Sequence, residues 1–236
     1  MTSVAIIPAR GGSKRIARKN IKPFHGLPII AYSIRTALAS GLFQRVVVTT
    51  DDEEIAVVAR QYGAETPFMR PQALSGDYAG TMEVVQHALG EIEKLGETPA
   101  FACCIYATAP FLQPNYLREG LHLLDRHADK SFAFSVTTFD FPVQRALRVT
   151  ADGALDAMYP EFRLARSQDL DTAWHDAGQF YWGRSDAWRR GDTLFSPVAL
   201  PVALPRHLVL DIDTLEDWQR AEWTYAALKA AGELAA

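Results

Sequence analysis

Short apolar segments alternate with longer amphipathic segments through the first 138 residues, and this alternation restricts the fold more than any other feature of the sequence. Strands are predicted at residues 4–9, 45–50, 101–106 and 131–138, and helices at 28–40, 51–62, 80–95 and 114–127. Parallel strands joined by right-handed helical crossovers give this order along a chain. We therefore predict an α/β fold with a Rossmann-like, mostly parallel sheet flanked by helices.

The alternation ends near residue 136. Short β-like pieces follow at 145–150, 154–159 and 178–182, and an irregular stretch at 160–176 lies before the last of them. Asp152-Gly153 joins the first two pieces and is a strong hairpin signal. We interpret residues 136–183 as an excursion from the sheet within a single domain of residues 1–236. A final strand is predicted at 208–212, followed by a helix at 215–231.

Charge is distributed unevenly along the chain. Lys and Arg number 24 against 28 Asp and Glu, a net charge of −4, yet the first acidic residue is Asp51. The basic residues that precede it are Arg10, Lys14, Arg15, Arg18, Lys19, Lys22, Arg35 and Arg45. A cationic segment of this kind favours an anionic ligand. Nucleic acid is disfavoured as that ligand, because a net acidic chain lacks the extended basic face that binds it. We expect residues 10–22 to face phosphates, and Arg35 and Arg45 to be ordinary surface charges.

The sequence gives no indication of a membrane partner or of secretion. No apolar run approaches the roughly 18 residues needed to span a bilayer. The first apolar run precedes the basic residues, the reverse of the order in a secretory signal. The only cysteines, Cys103 and Cys104, are adjacent within an apolar segment, which favours buried thiols over a disulfide framework. We therefore expect a cytoplasmic protein.

Residues 9–20 connect a predicted strand to a predicted helix and read Ala-Arg-Gly-Gly-Ser-Lys-Arg-Ile-Ala-Arg-Lys-Asn. Glycines let a backbone approach a phosphate closely, so that its N–H groups can donate to it. Arg10, Lys14 and Lys19 are suited to neutralising a triphosphate. The P-loop and dinucleotide-binding patterns are absent, which weighs against an ATPase and a dehydrogenase. A solvated basic loop is the alternative.

Asp211-Ile-Asp213 is the second motif whose residues are suited to metal binding or catalysis. In the predicted strand, residues i and i+2 face the same side, so both carboxylates can share a cation that prefers oxygen ligands. Mg²⁺ takes one or two carboxylates and fills its shell with phosphate and water. Alternatively, Asp213 is a helix N-cap with Glu216 as its capping-box partner. The residues by themselves leave both interpretations open.

Residues 7–20, Ile-Pro-Ala-Arg-Gly-Gly-Ser-Lys-Arg-Ile-Ala-Arg-Lys-Asn, resemble the signature of the sugar-acid cytidylyltransferases, a family that includes the CMP-sialic acid synthetases. The resemblance implies the nucleotide-diphospho-sugar transferase type of fold. It implies transfer of CMP from CTP to the anomeric hydroxyl of a nonulosonic acid, with release of pyrophosphate. It also implies Mg²⁺ held by Asp211 and Asp213.

The same resemblance implies a set of nucleotide contacts. Arg70-Pro71, followed by residues 77–81, looks like the family's second nucleotide segment, beside the base and ribose. The implied nucleotide-binding residues are Ala9, Arg10, Gly11, Ser13, Lys19, Asn20, Arg70, Ala79 and Thr81. Asn20 is implied in cytosine recognition, and Arg10, Lys19 and Asp211 in catalysis. Without the family context, Arg70 could be a surface cation at a strand end.

The sugar side departs from the pattern of the sialic acid enzymes. Their Gln-Pro-Thr-Ser-Pro is Tyr-Ala-Thr-Ala-Pro at residues 106–110, so Tyr106 replaces a sugar-contacting Gln. Residues 106–112, 166–169 and 175–182 look like the pseudaminic acid branch, whose substrate is less hydroxylated. The implied sugar-binding residues are Tyr106, Thr108, Arg166, Gln168, His175, Asp176 and Gln179. The alternatives are core packing for Tyr106, a plain loop for His175 and Asp176, and solvent exposure for Gln179.

The excursion resembles the family's dimerisation element, which implies a homodimer in which Arg166 and Gln168 serve the neighbouring subunit. No residue in the sequence stands out as a dedicated base. Three other functions remain open: the same reaction on N-acetylneuraminate, legionaminic acid or a Kdo-like acid; nucleotide transfer to a sugar phosphate; and a non-catalytic nucleotide-binding module. The Asp-x-Asp pair argues against the last, because simple binding does not require a metal site.

Overall fold

The computed structural model describes residues 2–76 and 79–234, which form a central sheet with helices on both faces. The strands are β1 (Ser3–Pro8), β2 (Pro23–Phe24), β3 (Leu27–Pro28), β4 (Arg45–Thr49), β5 (Phe101–Ile105), β6 (Phe132–Thr138), β7 (Leu147–Val149), β8 (Leu155–Ala157), β9 (Trp174–Arg184) and β10 (Ala199–Ala203). The helices are α1 (Ile29–Ser40), α2 (Glu53–Gln61), α3 (Thr81–Lys94), α4 (Pro114–Arg126), α5 (Ser185–Arg190) and α6 (Leu215–Ala230). In these ranges, no helix is both long and apolar enough to cross a membrane.

The central sheet has six strands in the order β10-β6-β9-β5-β1-β4. β1 pairs in parallel with β4 and β5, and β10 pairs in parallel with β6. β9 runs antiparallel between β5 and β6. The mostly parallel α/β fold predicted from the alternation is therefore confirmed, with one antiparallel strand in the interior of the sheet.

Alternation of side chains along the buried strands builds one core on each face of the sheet. Ala5 and Ile7 of β1 pack with the faces of α1, α2 and α4, whereas Val4 and Ile6 pack with α3 and α5. Cys103 and Cys104 point to opposite faces in the same way, and both are buried free thiols, as predicted. A third, smaller apolar cluster forms under α6.

The predicted final strand at residues 208–212 is wrong. The chain forms a 3₁₀ turn at Arg206–Leu208 and then continues without regular structure to α6. Leu208 and Ile212 bury their side chains against α6 instead of pairing in a sheet. The actual strand, β10, carries Pro201 and was missed. A proline is tolerated there because β10 is an edge strand.

The excursion from the sheet is narrower than residues 136–183. β6 continues to Thr138 and β9 begins at Trp174, so only residues 139–173 leave the sheet. The piece predicted at 178–182 belongs to the longer β9. Within the excursion, β7 and β8 form the predicted antiparallel hairpin, and its turn residue Gly153 has a φ of +83° that favours glycine.

Candidate functional site

A cleft of about 630 Å³ lies at the carboxyl ends of β1 and β5, where ligands of open α/β sheets bind. It brings together segments from both ends of the chain. The predicted residues that line it are Arg10, Ser13, Lys19, Asn20, Arg70, Ala79, Thr81, Tyr106, Thr108 and Asp213. Asp77, in the second nucleotide segment, lies outside the described residues. The basic loop, that segment and the Asp-x-Asp motif therefore meet at one site.

The basic loop is anchored to the end of β4. The N–H of Ala9 donates to the carbonyl of Thr49 at 3.0 Å, and Ala9 itself is buried behind the cleft. The N–H of Gly11 donates to Oδ1 of Asp51 at 3.0 Å. A Cβ at Gly11 would lie 2.6 Å from Oδ2 of Asp52, so this close approach requires glycine. The start of the loop is fixed by backbone contacts.

The cations of residues 10–22 divide into two groups, so the prediction that the whole segment faces phosphates is wrong. Arg18 turns to the N-terminus of α2, where its guanidinium binds both oxygens of Asp52 at 2.5 and 2.9 Å and also contacts Glu54. The hydrogen bond from Arg18 lowers the pKa of Asp52. Lys22 lies over the ring of Trp218, 4.5 Å from its centroid. These two residues hold the loop in place.

Lys19 and Asn20 line the cleft from a short 3₁₀ turn, Lys19–Ile21. Nδ2 of Asn20 donates to the carbonyl of Arg10 at 3.0 Å, which folds the loop back on itself. Nζ of Lys19 donates to the carbonyl of Ile212 at 2.8 Å and joins the loop to the segment before α6. The position of Lys19 thus depends on residues near the opposite end of the chain.

Arg70 is 4% exposed, so its interpretation as a surface cation is wrong. Its guanidinium donates to the carbonyl of Thr49 and to Oγ of Ser75, each at 3.2 Å, and lies 3.8 Å from a carboxylate oxygen of Asp51. Burial lowers the pKa of Arg70, because desolvation disfavours the charged form, and the charge of Arg10 adds to this effect. The charge of Asp51 opposes this shift, and Arg10 is close enough for its own charge to act on Arg70.

Asp213 does not cap α6, so that alternative is wrong. Thr214 is the N-cap, and its capping-box partner is Asp217 rather than Glu216. The segment is not a strand either, so the argument from alternating strand faces does not apply to Asp211 and Asp213. Instead, the Asp213 carboxylate forms ion pairs with Arg15 at 2.8 Å and with Lys19 at 3.3 Å.

Asp211 and Asp213 remain close enough to interact. Burial raises the pKa of Asp211, and the negative charge of Asp213 raises it further. The residues lining the cleft in the described ranges include Asp213 but not Asp211. Over residues 2–76 and 79–234, no group of three or more His, Cys, Asp or Glu side chains could hold a metal ion. Mg²⁺ takes one or two carboxylates and completes its shell with phosphate and water, so the residue types of this pair suit that ion.

Tyr106 connects the cleft to the strand beside it. Its hydroxyl lies 2.9 Å from Oγ1 of Thr81, at the start of α3, and its ring lies 5.4 Å from that of Tyr181. The Tyr181 hydroxyl donates to Oδ2 of Asp176 at 2.5 Å, while the N–H of Gly178 donates to Oδ1. Burial raises the pKa of both tyrosines, so both phenols stay protonated and able to donate.

Apart from Tyr106 and Thr108, the predicted sugar-side residues do not line this cleft. His175 lines a neighbouring cavity of about 810 Å³, and its Nδ1 contacts the carbonyl of Asp176 rather than the carboxylate. Gln179 is 3% exposed and donates to the carbonyl of Leu208, so the alternative of solvent exposure is wrong. Arg166 and Gln168 lie on the surface of the excursion, where Arg166 pairs with Asp169.

Two residues of the site, Arg15 and Tyr181, were given no individual role from the sequence. Arg15 pairs with Asp213, and Tyr181 supports Tyr106. Asp51 was predicted both at a helix start and at the ligand-binding carboxyl edge of the sheet. It accepts from the N–H of Gly11 beside Arg70, while the N-cap of α2 is Asp52. Arg15 and Tyr181 are recognisable only from their spatial neighbours.

The chain was compared with known proteins. Residues 4–159 match the sequence model of a family described as Cytidylyltransferase. A Campylobacter jejuni protein described as pseudaminic acid cytidylyltransferase is 45% identical over 225 residues, 95% of this chain and 97% of that protein. A Helicobacter pylori protein, described as that enzyme joined to UDP-2,4-diacetamido-2,4,6-trideoxy-beta-L-altropyranose hydrolase, is 33% identical over 212 residues, 90% of this chain and 40% of that protein.

A solved structure shares the fold. It is described as CMP:2-keto-3-deoxy-manno-octonic acid synthetase complexed with CTP. It superposes with a TM-score of 0.70 at 17% identity, covering 96% of this chain and 99% of that one. Because identity is this low, the likeness concerns the architecture alone. The family match over residues 4–159 and the relative aligned over nearly the whole chain lead to one conclusion: this protein belongs to the cytidylyltransferase family.

Proposed function

We propose that the protein transfers CMP from CTP to the anomeric hydroxyl of a nonulosonic acid, with pseudaminic acid as the preferred acceptor. The observation that carries the proposal is the convergence of Arg10, Lys19, Arg70 and Asp213 on one cleft at the carboxyl edge of the sheet. The acceptor is chosen because the Campylobacter jejuni relative, at 45% identity, is described as acting on pseudaminic acid.

The reaction forms a bond between the anomeric oxygen and the α-phosphorus of CTP. It breaks the bond from that phosphorus to the oxygen bridging to the β-phosphate, so pyrophosphate leaves and the proton of the attacking hydroxyl passes to solvent. Arg10 and Lys19 offset the charge of the phosphates, with Ser13 and the backbone of Gly11 beside them. Such fixed charges stabilise the developing negative charge without reorganisation.

Arg70, Ala79 and Thr81 are proposed to lie beside the base and ribose. Asn20 already uses its Nδ2 to bind the carbonyl of Arg10. We propose that its carbonyl oxygen accepts from the exocyclic amine of cytosine, a donor that uracil lacks. This arrangement supports a preference for CTP over UTP.

Asp211 and Asp213 are the residues proposed to hold Mg²⁺. When bound, this ion neutralises phosphate charge and increases the acidity of a coordinated hydroxyl. Tyr106, held between Thr81 and Tyr181, is proposed to face the sugar acid. A phenol supplies apolar area and one hydrogen bond, which suits an acceptor with fewer hydroxyl groups.

The test is pyrophosphate release from CTP, UTP and ATP in the presence of Mg²⁺, with pseudaminic, legionaminic, N-acetylneuraminic and Kdo acids and a sugar phosphate as acceptors. We expect release with CTP and pseudaminic acid, and loss of release when EDTA removes the metal. Binding of CTP without release from any acceptor would favour the non-catalytic module. Turnover with the sugar phosphate and with none of the sugar acids would favour the alternative of nucleotide transfer to a sugar phosphate.

We also propose that the protein is a homodimer joined through residues 139–173. This excursion exposes large apolar side chains, among them Leu164 at 94% and Phe141 at 84%. Exposed apolar clusters of this kind favour a protein partner. A second copy seated there would bring Arg166 and Gln168 towards the neighbouring site.

Replacing both Phe141 and Leu164 with Glu is expected to convert the dimer to a monomer in sedimentation velocity and to reduce turnover. The matched control is Trp223→Glu, which changes an exposed apolar side chain on α6 and should leave the dimer intact. A wild-type protein that sediments as a monomer at its working concentration with full activity would rule out the shared site.

We propose a cytoplasmic location for this reaction. Cys103 and Cys104 are free thiols in the sheet core, a use of cysteine that suits a reducing compartment. Fractionation of cells that express the protein tests this proposal.

A further inference from the structure

The carboxylate of Asp213 engages two cations of the basic loop at once. Its Oδ2 lies 2.8 Å from Nη2 of Arg15, and its Oδ1 lies 3.3 Å from Nζ of Lys19. All three residues line the cleft. A carboxylate oxygen and a phosphate oxygen are alternative acceptors for the same donors. Asp213 and a triphosphate therefore compete for Arg15 and Lys19.

We infer that Arg15 is a further nucleotide-binding residue and that Asp213 is an internal competitor of the triphosphate. Asp213 holds Arg15 and Lys19 until its oxygens are engaged by a divalent cation, and the two released cations then bind phosphate. Binding of metal and binding of nucleotide are thereby coupled through the exchange of ion-pair partners. The inference rests on the proposed function, since it takes CTP and Mg²⁺ as the ligands.

The exposure of these side chains makes the exchange possible. The side chain of Arg15 is 64% exposed and that of Asp213 is 34% exposed, so their ion pair is screened by water. Ion pairs of this kind contribute little to stability and break without a change in the backbone. Lys19 also keeps its hydrogen bond to the carbonyl of Ile212, which holds its amine at the cleft. Arg15 is the more exposed partner, at 64% against 19% for the side chain of Lys19.

Asp211 provides a matched comparison for Asp213. It carries the same charge two residues away and is close enough for the charges of Lys19 and Arg15 to act on it. The two ion pairs, however, are formed by Asp213. General repulsion between a carboxylate and a triphosphate would act through both aspartates, whereas competition for Arg15 and Lys19 acts through Asp213.

The experiment is titration calorimetry of CTP binding in EDTA at low salt. Asp213→Asn is expected to tighten metal-free CTP binding about three- to ten-fold relative to the wild type, since it breaks two ion pairs and each contributes up to about five-fold. Asp211→Asn should leave this affinity within about two-fold, on the same scale. Equal tightening in both variants would show general repulsion and overturn the inference, as would no tightening in Asp213→Asn.

Arg15→Met is an independent test at a side chain that is 64% exposed, so we expect the fold to survive the change. Alone and without metal it should change CTP affinity by less than about two-fold, because Asp213 already occupies Arg15. With Mg²⁺, Arg15→Met should weaken CTP binding about three-fold. Combined with Asp213→Asn, it should remove most of the increase in metal-free CTP affinity that Asp213→Asn gives alone. Unchanged binding in both cases would exclude Arg15. If the wild type with Mg²⁺ fails to bind CTP at all, the proposed function itself is wrong.

Discussion

Asp211→Asn is expected to lower the rate of pyrophosphate release by about 10³-fold or more, because one of the two proposed Mg²⁺ ligands is lost while its size is kept. The fold should survive. Burial and the charge of Asp213 raise the pKa of Asp211, so the ionised carboxylate is less stable in the protein than in water. A neutral Asn removes that unfavourable charge. Turnover is measured by pyrophosphate release, and folding by circular dichroism and thermal unfolding.

The matched control for this change is Glu216→Gln. Glu216 is exposed in the first turn of α6 and carries the same charge a few residues away. It should retain wild-type turnover within about two-fold, because exposed charges outside the site contribute little. Full activity of Asp211→Asn would rule out its role as a metal ligand. Equal losses in both variants would point to the negative charge of the segment as a whole.

Lys19→Met is expected to reduce kcat/KM for CTP about 10²-fold, which corresponds to roughly 3 kcal/mol of lost transition-state stabilisation. The ammonium lies in the cleft, joined to the carbonyl of Ile212, and methionine keeps the length of the side chain without its charge. Steady-state kinetics with pyrophosphate detection measure the effect. A loss in kcat exceeding the change in KM would indicate that Lys19 acts mainly on the transition state.

Lys22→Met removes the same charge from the same loop and serves as its control. Lys22 lies over the ring of Trp218 and does not line the cleft. We expect kcat/KM within about two-fold of wild type and a loss of stability of about 0.5–1 kcal/mol, the size of an exposed cation–π contact. If both lysine variants lost activity equally, the total charge of the loop would matter rather than the position of Lys19.

Local patterns predicted those parts of the fold whose structure depends on neighbouring residues. Buried parallel strands are continuous apolar runs, so β1, β4 and β5 were recognisable, and Asp152-Gly153 sets a hairpin by its own backbone preferences. β10 was missed because Pro201 argues against a strand unless the strand lies at an edge, and edge position is a property of the whole sheet. The insertion of β9 between β5 and β6 is non-local in the same way.

The candidate site shows the same division. The basic loop and the Asp-x-Asp pair stand out by residue type and close spacing, whereas Arg70 and Thr81 were predicted only through the family resemblance. The direction in which each side chain points could not be predicted from the sequence. Arg18 faces Asp52, Lys22 faces Trp218, and Thr214 rather than Asp213 caps α6.

The sequence by itself determined that strands and helices alternate, that a cationic glycine-containing loop follows the first strand, and that two carboxylates precede the last helix. The tertiary structure decided which cations face the cleft and what Asp213 binds. Lys19 and Asp213 are 194 positions apart in the chain but 3.3 Å apart in space. Charge interactions weaken with distance through space and not along the sequence, so only the folded chain can pair them.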